Sequence, residues 1–217
     1  MSENMMQKDL VLSINEYAYV LDRTKGNVLC HVGPTKTSLS QSDELVRFEP
    51  KSKKFRPCGY NEAISLFASA PENWYLVLKN PPKNGRRPTT GTSNNHPEDI
   101  EIGRKINIPG PVSFALYPGQ MAKVVKGHAL RTNQYLLARV YDAARASVEG
   151  GQVIDADGNV VVPEKKDYVN GQILVIKGTD ISFYIPPTGI EVIPLQNDDA
   201  LGYIRDAVTL ERLEYSI

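Results

Sequence analysis

Apolar residues occur in short runs rich in Val, Ile, Tyr and Leu, cut at close intervals by Gly, Pro, Asn and Asp, which is the pattern of strands joined by turns. The runs recur in a fixed order. A first aromatic strand, Glu16-Tyr17-Ala18-Tyr19-Val20-Leu21-Asp22, crosses a polar turn to Val32-Gly33-Pro34 and an alternating stretch ending at Leu39. A second, Asn73-Trp74-Tyr75-Leu76-Val77-Leu78-Lys79, crosses a long insert to Ile108-Pro109-Gly110-Pro111 and runs on into Tyr117-Pro118-Gly119. A third starts at Asn133-Gln134-Tyr135, continues to Tyr141, crosses a polar loop and closes on Lys177-Gly178 through Ile185-Pro186. A period of roughly 55 to 80 residues marks an array of small supersecondary units, built to stack and bind.

The predicted fold is therefore mainly β: tandem small antiparallel β domains with few short helices. The predicted boundaries are 1–60, 61–130 with a mobile insert at 80–99, and 131–217, whose last segment reads as the beginning of another unit. Residues 24–27 predict a hairpin turn. Asp155, Asp157 and Gly158 predict a second, since Asp and Gly tolerate positive φ. With 16 Gly and 15 Pro along the chain, only residues 61–70 and 198–215 remain as helix candidates. The residues that aim the strands are Gly33, Pro34, Gly110, Pro111, Tyr117, Pro118, Gly119, Gly178 and Pro186. The same residue types also serve as ordinary punctuation in any all-β protein, and their recurrence at comparable points is what singles them out. Tyr17, Tyr19, Trp74 and Tyr135 read as core or strand-pair aromatics.

Residues 80–99 contain almost no apolar side chain, so the segment is expected to be a mobile loop or to order only against a partner. Lys83, Arg86 and Arg87 lie there without interleaved aromatics, a poor basis for nucleic-acid binding. The 25 basic and 25 acidic residues leave no global field to hold nucleic acid or an anionic membrane. No apolar run approaches the ~20 residues that span a bilayer, and the N-terminal residues lack a signal-peptide pattern, so a cytoplasmic protein is expected. Cys30 and Cys58 then read as free thiols.

Candidate chemistry is sparse. His31, His96 and His128 are far apart and none stands at ligand spacing with a Cys or another His. Asp155, Asp157 and Asn159 match the opening of a calcium loop by type alone. The Gly falls at the fourth position and Lys166 stands where the twelfth-position Glu belongs, so a hairpin accounts for them better. Glycine-rich phosphate loops and nucleophile-elbow motifs are absent from the sequence. No metal and no cofactor are expected.

The quoted residues carry a resemblance to the major vault protein family. Tyr19-Val20-Leu21-Asp22, Val32-Gly33-Pro34 and Glu44 through Pro50 resemble its opening repeat, and Asn73 to Pro81 is similar to the start of the next. Ile100-Glu101-Ile102 followed by Leu116-Tyr117-Pro118-Gly119-Gln120 resembles the family's Leu-Glu-Ile segment and Leu-Tyr-Pro-Gly-Glu turn. Asn133 to Asp142 and Asn170 to Gly178, through Ile185-Pro186, are similar to its closing strand pair. The resemblance covers roughly residues 13–196. Residues 51–72 and 80–99 are longer than the family's connections, and nothing shows the sustained heptads of its cap helix. Leu213-Glu214-Tyr215-Ser216-Ile217 reads like another first strand.

The resemblance implies a non-enzymatic, self-assembling scaffold or shell subunit, stacking laterally into a ring, wall or cage, with itself and an enclosed or tethered protein as partners. An adaptor or structural-complex binding module, of a phage or bacterial virion type and without a closed shell, is the alternative. An enzyme on a small polar substrate is a third class, which would need a buried cluster of titratable groups.

Overall fold

A computed structural model describes residues 9–94, 99–146, 150–162, 167–197 and 202–208. The chain is mainly β, in several small antiparallel sheets. In chain order the elements are β1 (Asp9–Leu12), β2 (Glu16–Asp22), β3 (Asn27–Val32), β4 (Thr35–Ser38), β5 (Asp43–Glu49), β6 (Lys54–Pro57), α1 (Tyr60–Ala63) and β7 (Ser65–Leu66). They continue as β8 (Ala68–Ala70), β9 (Trp74–Lys79), β10 (Ser93–Asn94), β11 (Lys105–Pro109), β12 (Val112–Phe114) and β13 (Met121–Lys126). The remainder are β14 (His128–Ala129), β15 (Gln134–Val140), β16 (Gln152–Asp155), β17 (Val160–Val161), β18 (Ile173–Lys177), β19 (Ile181–Ile185), β20 (Ile190–Val192) and β21 (Arg205–Asp206).

The same strand order occurs three times. Three-stranded cores run β3-β2-β5, β11-β9-β13 and β18-β15-β20, so each central strand lies between two strands that come later in the chain. The strand between those two leaves the core sheet and pairs with the short strand that precedes the repeat: β4 with β1, β12 with β8, β19 with β14. Even the trailing contacts match. β7 pairs with Glu16 and Tyr17 at the start of β2, and β21 pairs with Gln134 and Tyr135 at the start of β15.

By contacts the chain divides into two compact units: Met1–Ala70, Leu78–Arg104 and Val112–Val124 form unit 1, and Pro71–Val77, Lys105–Pro111 and Val125–Ile217 form unit 2. In unit 1, β2 is buried on both faces. Ala18 and Val20 pack with Leu10, Leu12, Leu39, Leu45 and Ala63. On the other face the Tyr17 and Tyr19 rings meet edge to face at 5.4 Å, and Tyr19 meets Phe55 the same way at 5.7 Å. In unit 2, Leu136 packs with Leu130, Val153, Tyr184 and Val192, while Ala138 and Val140 pack with Ala146 and Ile190.

Both predicted hairpin turns form, with Asp22 opposite Asn27 and Ile154 opposite Val160. The helix predicted over 61–70 does not. It is one turn at α1, which Gly59 starts without a side-chain cap, and the residues beyond it are drawn into β7 and β8. Tertiary strand pairing outweighs a weak local preference there. In the other helix candidate, 198–215, the described residues 202–208 include strand β21 and the rest lies outside the described residues.

Asn107 in β11 is 5% exposed and ties unit 2 together. Its Nδ2 donates to the carbonyls of Pro186 (2.9 Å), Pro187 (3.1 Å) and Ile190 (3.2 Å), and its backbone N–H donates to Thr188 Oγ1 at 3.1 Å. Asn107→Ala leaves those carbonyls buried and short of a donor. The expected loss is roughly 2–3 kcal/mol, read as a lower denaturation midpoint with an unchanged slope.

Candidate assembly edges and the turns that place them

Each repeat opens on a tight turn ending in Asn and the first residue of the central strand. Glu16 N–H donates to Ser13 O at 3.3 Å, Trp74 N–H to Pro71 O at 3.1 Å and Gln134 N–H to Arg131 O at 2.9 Å. The Asn carbonyl then accepts the chain returning at the repeat's end: Phe67 N–H to Asn15 O (2.9 Å), Gly127 N–H to Asn73 O (2.8 Å) and Ala207 N–H to Asn133 O (2.8 Å). Asn15 and Asn73 take positive φ, 65° and 63°, a conformation Asn tolerates better than most residues. These asparagines were not singled out by sequence reasoning, although each stands immediately before its aromatic strand and that recurrence was a usable signal.

Three of the predicted glycines meet these turns. Gly33, Gly110 and Gly178 donate their N–H to the carbonyls of Glu16, Trp74 and Gln134, each at 2.8 Å. A Cβ at Gly33 would lie 1.9 Å from Ser13 O, and one at Gly178 would lie 1.7 Å from Arg131 O. The Gly33-Pro34 and Gly110-Pro111 bonds are both cis. Tyr117, Pro118 and Gly119 form a turn closed by Gln120, whose Oε1 accepts from Tyr117 N–H at 2.9 Å and whose Nε2 donates to Asn80 O at 2.9 Å. Gly119 has φ 88°, and the Leu116 and Tyr117 carbonyls accept from the Tyr19 hydroxyl at 3.0 and 3.2 Å. Pro186 is fully buried and its carbonyl is the first acceptor of Asn107.

The turns leave particular strand edges outermost. In unit 2, β18 ends one sheet and β17 ends another, and neither meets a further strand among the described residues. Along β18, Ile173 and Val175 are 50% and 54% exposed and Lys177 follows on the same face. Val160 in β17 is 73% exposed. An exposed apolar edge strand is a ready template for pairing with another chain.

Several titratable groups are engaged in structure. Glu191 accepts from Lys105 Nζ and from Arg139 Nη2, each at 2.5 Å, and the Lys105 ammonium sits 4.0 Å from the Tyr141 ring centroid. Burial works to raise the Glu191 carboxyl, but the hydrogen bonds from Lys105 and Arg139 outweigh it and hold it below the ordinary range. Burial pushes the Cys30 thiol up to about 12 and also raises Cys58. His31 is buried with Nδ1 2.7 Å from Ser93 Oγ, and its Nε2 meets no hydrogen-bond partner among the described residues. His128 is buried between Tyr75 and Tyr203, with its Nε2 3.4 Å from the Tyr75 hydroxyl. His96 lies outside the described residues. Asp155 accepts from Asn159 N–H at 2.8 Å inside its hairpin. Among the described residues, no group of three or more His, Cys, Asp or Glu is placed to hold a metal ion. No helix among them is long and apolar enough to cross a membrane. No protein-family model and no curated protein matches the chain.

Gly178→Ala forces a methyl into backbone oxygen that cannot move aside, and is expected to lower stability by roughly 3 kcal/mol in chemical denaturation. Gly59→Ala, where a Cβ meets nothing within 4 Å, is the matched control at below ~1 kcal/mol.

Burial also lowers His128 from its ordinary 6.5 to about 4. Between those values the unfolded chain binds the proton and the folded chain does not, so stability is complete above 6.5 and falls as pH drops toward 4. The loss is on the order of 3 kcal/mol. His128→Gln should flatten the pH dependence of the unfolding midpoint over that window.

Proposed function

We propose that this chain is a non-enzymatic, self-assembling scaffold or shell subunit of the cytoplasm, resembling the major vault protein family and stacking laterally into a ring, wall or cage. The observation that carries the reading is the threefold recurrence of one strand order, with the second strand of each core sheet at the outer position or one strand from it. An array of similar β units offers recurring flanks. Copies that meet through such flanks build affinity from many modest contacts, and a rotation that closes gives a ring.

Supporting features are the apolar outer edges at β18 and β17 and the pairing of Lys105 and Arg139 with Glu191 inside unit 2. The partner is a second copy of the chain, with an enclosed or tethered protein as the further partner. The reading requires no cofactor, membrane or nucleic acid.

Light scattering after size separation, across concentration and salt, tests it. A uniform mass many times the 24.1 kDa chain, with rings or barrels in negative-stain images, is the expected result. Val175→Lys, at an exposed edge position, should lower that mass without changing the circular dichroism spectrum. A monomer at every concentration overturns self-assembly and favours the adaptor module.

A further inference from the structure

The three second strands, β3, β11 and β18, occupy the same place in the three core sheets, yet their outer edges are treated differently. Beyond β11 and β18 no further strand follows among the described residues; beyond β3 lies β10, supplied by the polar insert. Gly91 N–H donates to Val32 O at 3.0 Å, Val32 N–H donates to Thr92 O at 3.1 Å, and Ser93 and Asn94 stand opposite His31 and Cys30. Residues 91–94 of the insert are thus laid along a sheet edge within unit 1.

Side chains hold it there. Ser93 Oγ lies 2.7 Å from His31 Nδ1, and Asn94 Nδ2 donates to Cys30 O at 3.3 Å while its Oδ1 accepts from Thr89 N–H at 3.1 Å. Pro88 is buried, and the Arg87 guanidinium sits 4.4 Å from the Phe114 ring centroid. The insert reaches the edge on a two-stranded neck. Asn80 N–H donates to Arg104 O (2.8 Å), Glu101 N–H to Pro81 O (2.8 Å) and Lys83 N–H to Asp99 O (3.0 Å), with Pro82 bridged to Ile100. The strand it adds is only two residues long, and the flanking Gly, Thr and Pro give the new outer side little regular backbone to continue the sheet.

We propose that residues 88–94 are an edge guard: they occupy the outer edge of β3 so that unit 1 does not pair through that edge with a strand of a second copy. This goes beyond the assembly reading and does not depend on it, because every comparison is with the mass of the parent chain itself.

The neck makes a clean excision possible. Replacing residues 84–98 by Asn-Gly closes Lys83 onto Asp99 with the two-residue turn that antiparallel strands favour. The expected product is folded by circular dichroism and by the fluorescence of Trp74. It should associate reversibly beyond the parent, with the excess mass lost on dilution and reversed by a soluble peptide of the 88–94 sequence. A second variant leaves the backbone whole. Ser93→Ala combined with Asn94→Ala should speed hydrogen exchange at the Val32 amide at least tenfold and raise association in the same direction. The proposal is overturned if either folded variant follows the parent's mass at every concentration, or if the peptide fails to reverse the added association.

Discussion

The arrangement depends on one backbone contact made three times: the amide of Gly33, Gly110 or Gly178 donating to the first residue of the central strand. At Gly33 and Gly178 the chain approaches so closely that no Cβ fits. The contact fixes register. With Gly33 bonded to Glu16, Tyr17 must face Val32 and Tyr19 must face Cys30, which sends Ala18 and Val20 to the aliphatic side and the tyrosines to the aromatic side. A slip of one residue would exchange those faces, and both are buried. The contact also ends the pairing of the second strand, so the next strand leaves to join the short strand ahead of the repeat.

Polar groups inside the sheets are placed with the same economy. Asn107 serves three carbonyls in a stretch where two consecutive prolines, Pro186 and Pro187, supply no amide of their own. His128 is buried as the neutral ring between tyrosines, at the cost of acid sensitivity. Glu191 holds Lys105 and Arg139 together across β11, β15 and β20.

Much of this was legible in the sequence because strands, turn residues and their order are local signals. The aromatic runs at 16–22, 73–79 and 133–141 are strands over most of their length, and the Asp155 turn closes as its Asp and Gly predict. Gly33, Gly110 and Gly178 could be singled out by recurrence, but what they touch could not, because Ser13 and Arg131 approach them only through sheet pairing. The place of residues 91–94 was hidden in the polar insert for a related reason. Its lack of apolar residues says that it cannot fold alone, and says nothing about a neighbouring edge that offers it backbone partners. Residues 64–70 failed as a helix because β2 and β12 supply strand partners from elsewhere in the chain.

The three repeats differ most in the connection between the central strand and the next strand of its core sheet. It spans residues 23–26 in the first, 80–104 in the second and 141–172 in the third. Closing the longer loops costs on the order of 1.5–2 kcal/mol more in chain entropy than closing the shortest. The hairpin of β2 and β3 is therefore the cheapest pairing for the unfolded chain to make, and the natural place for its collapse to begin. Its outer edge exists before residues 88–94 can be brought to it, so during folding, and during synthesis from the N-terminus, that edge passes through an interval in which it is bare.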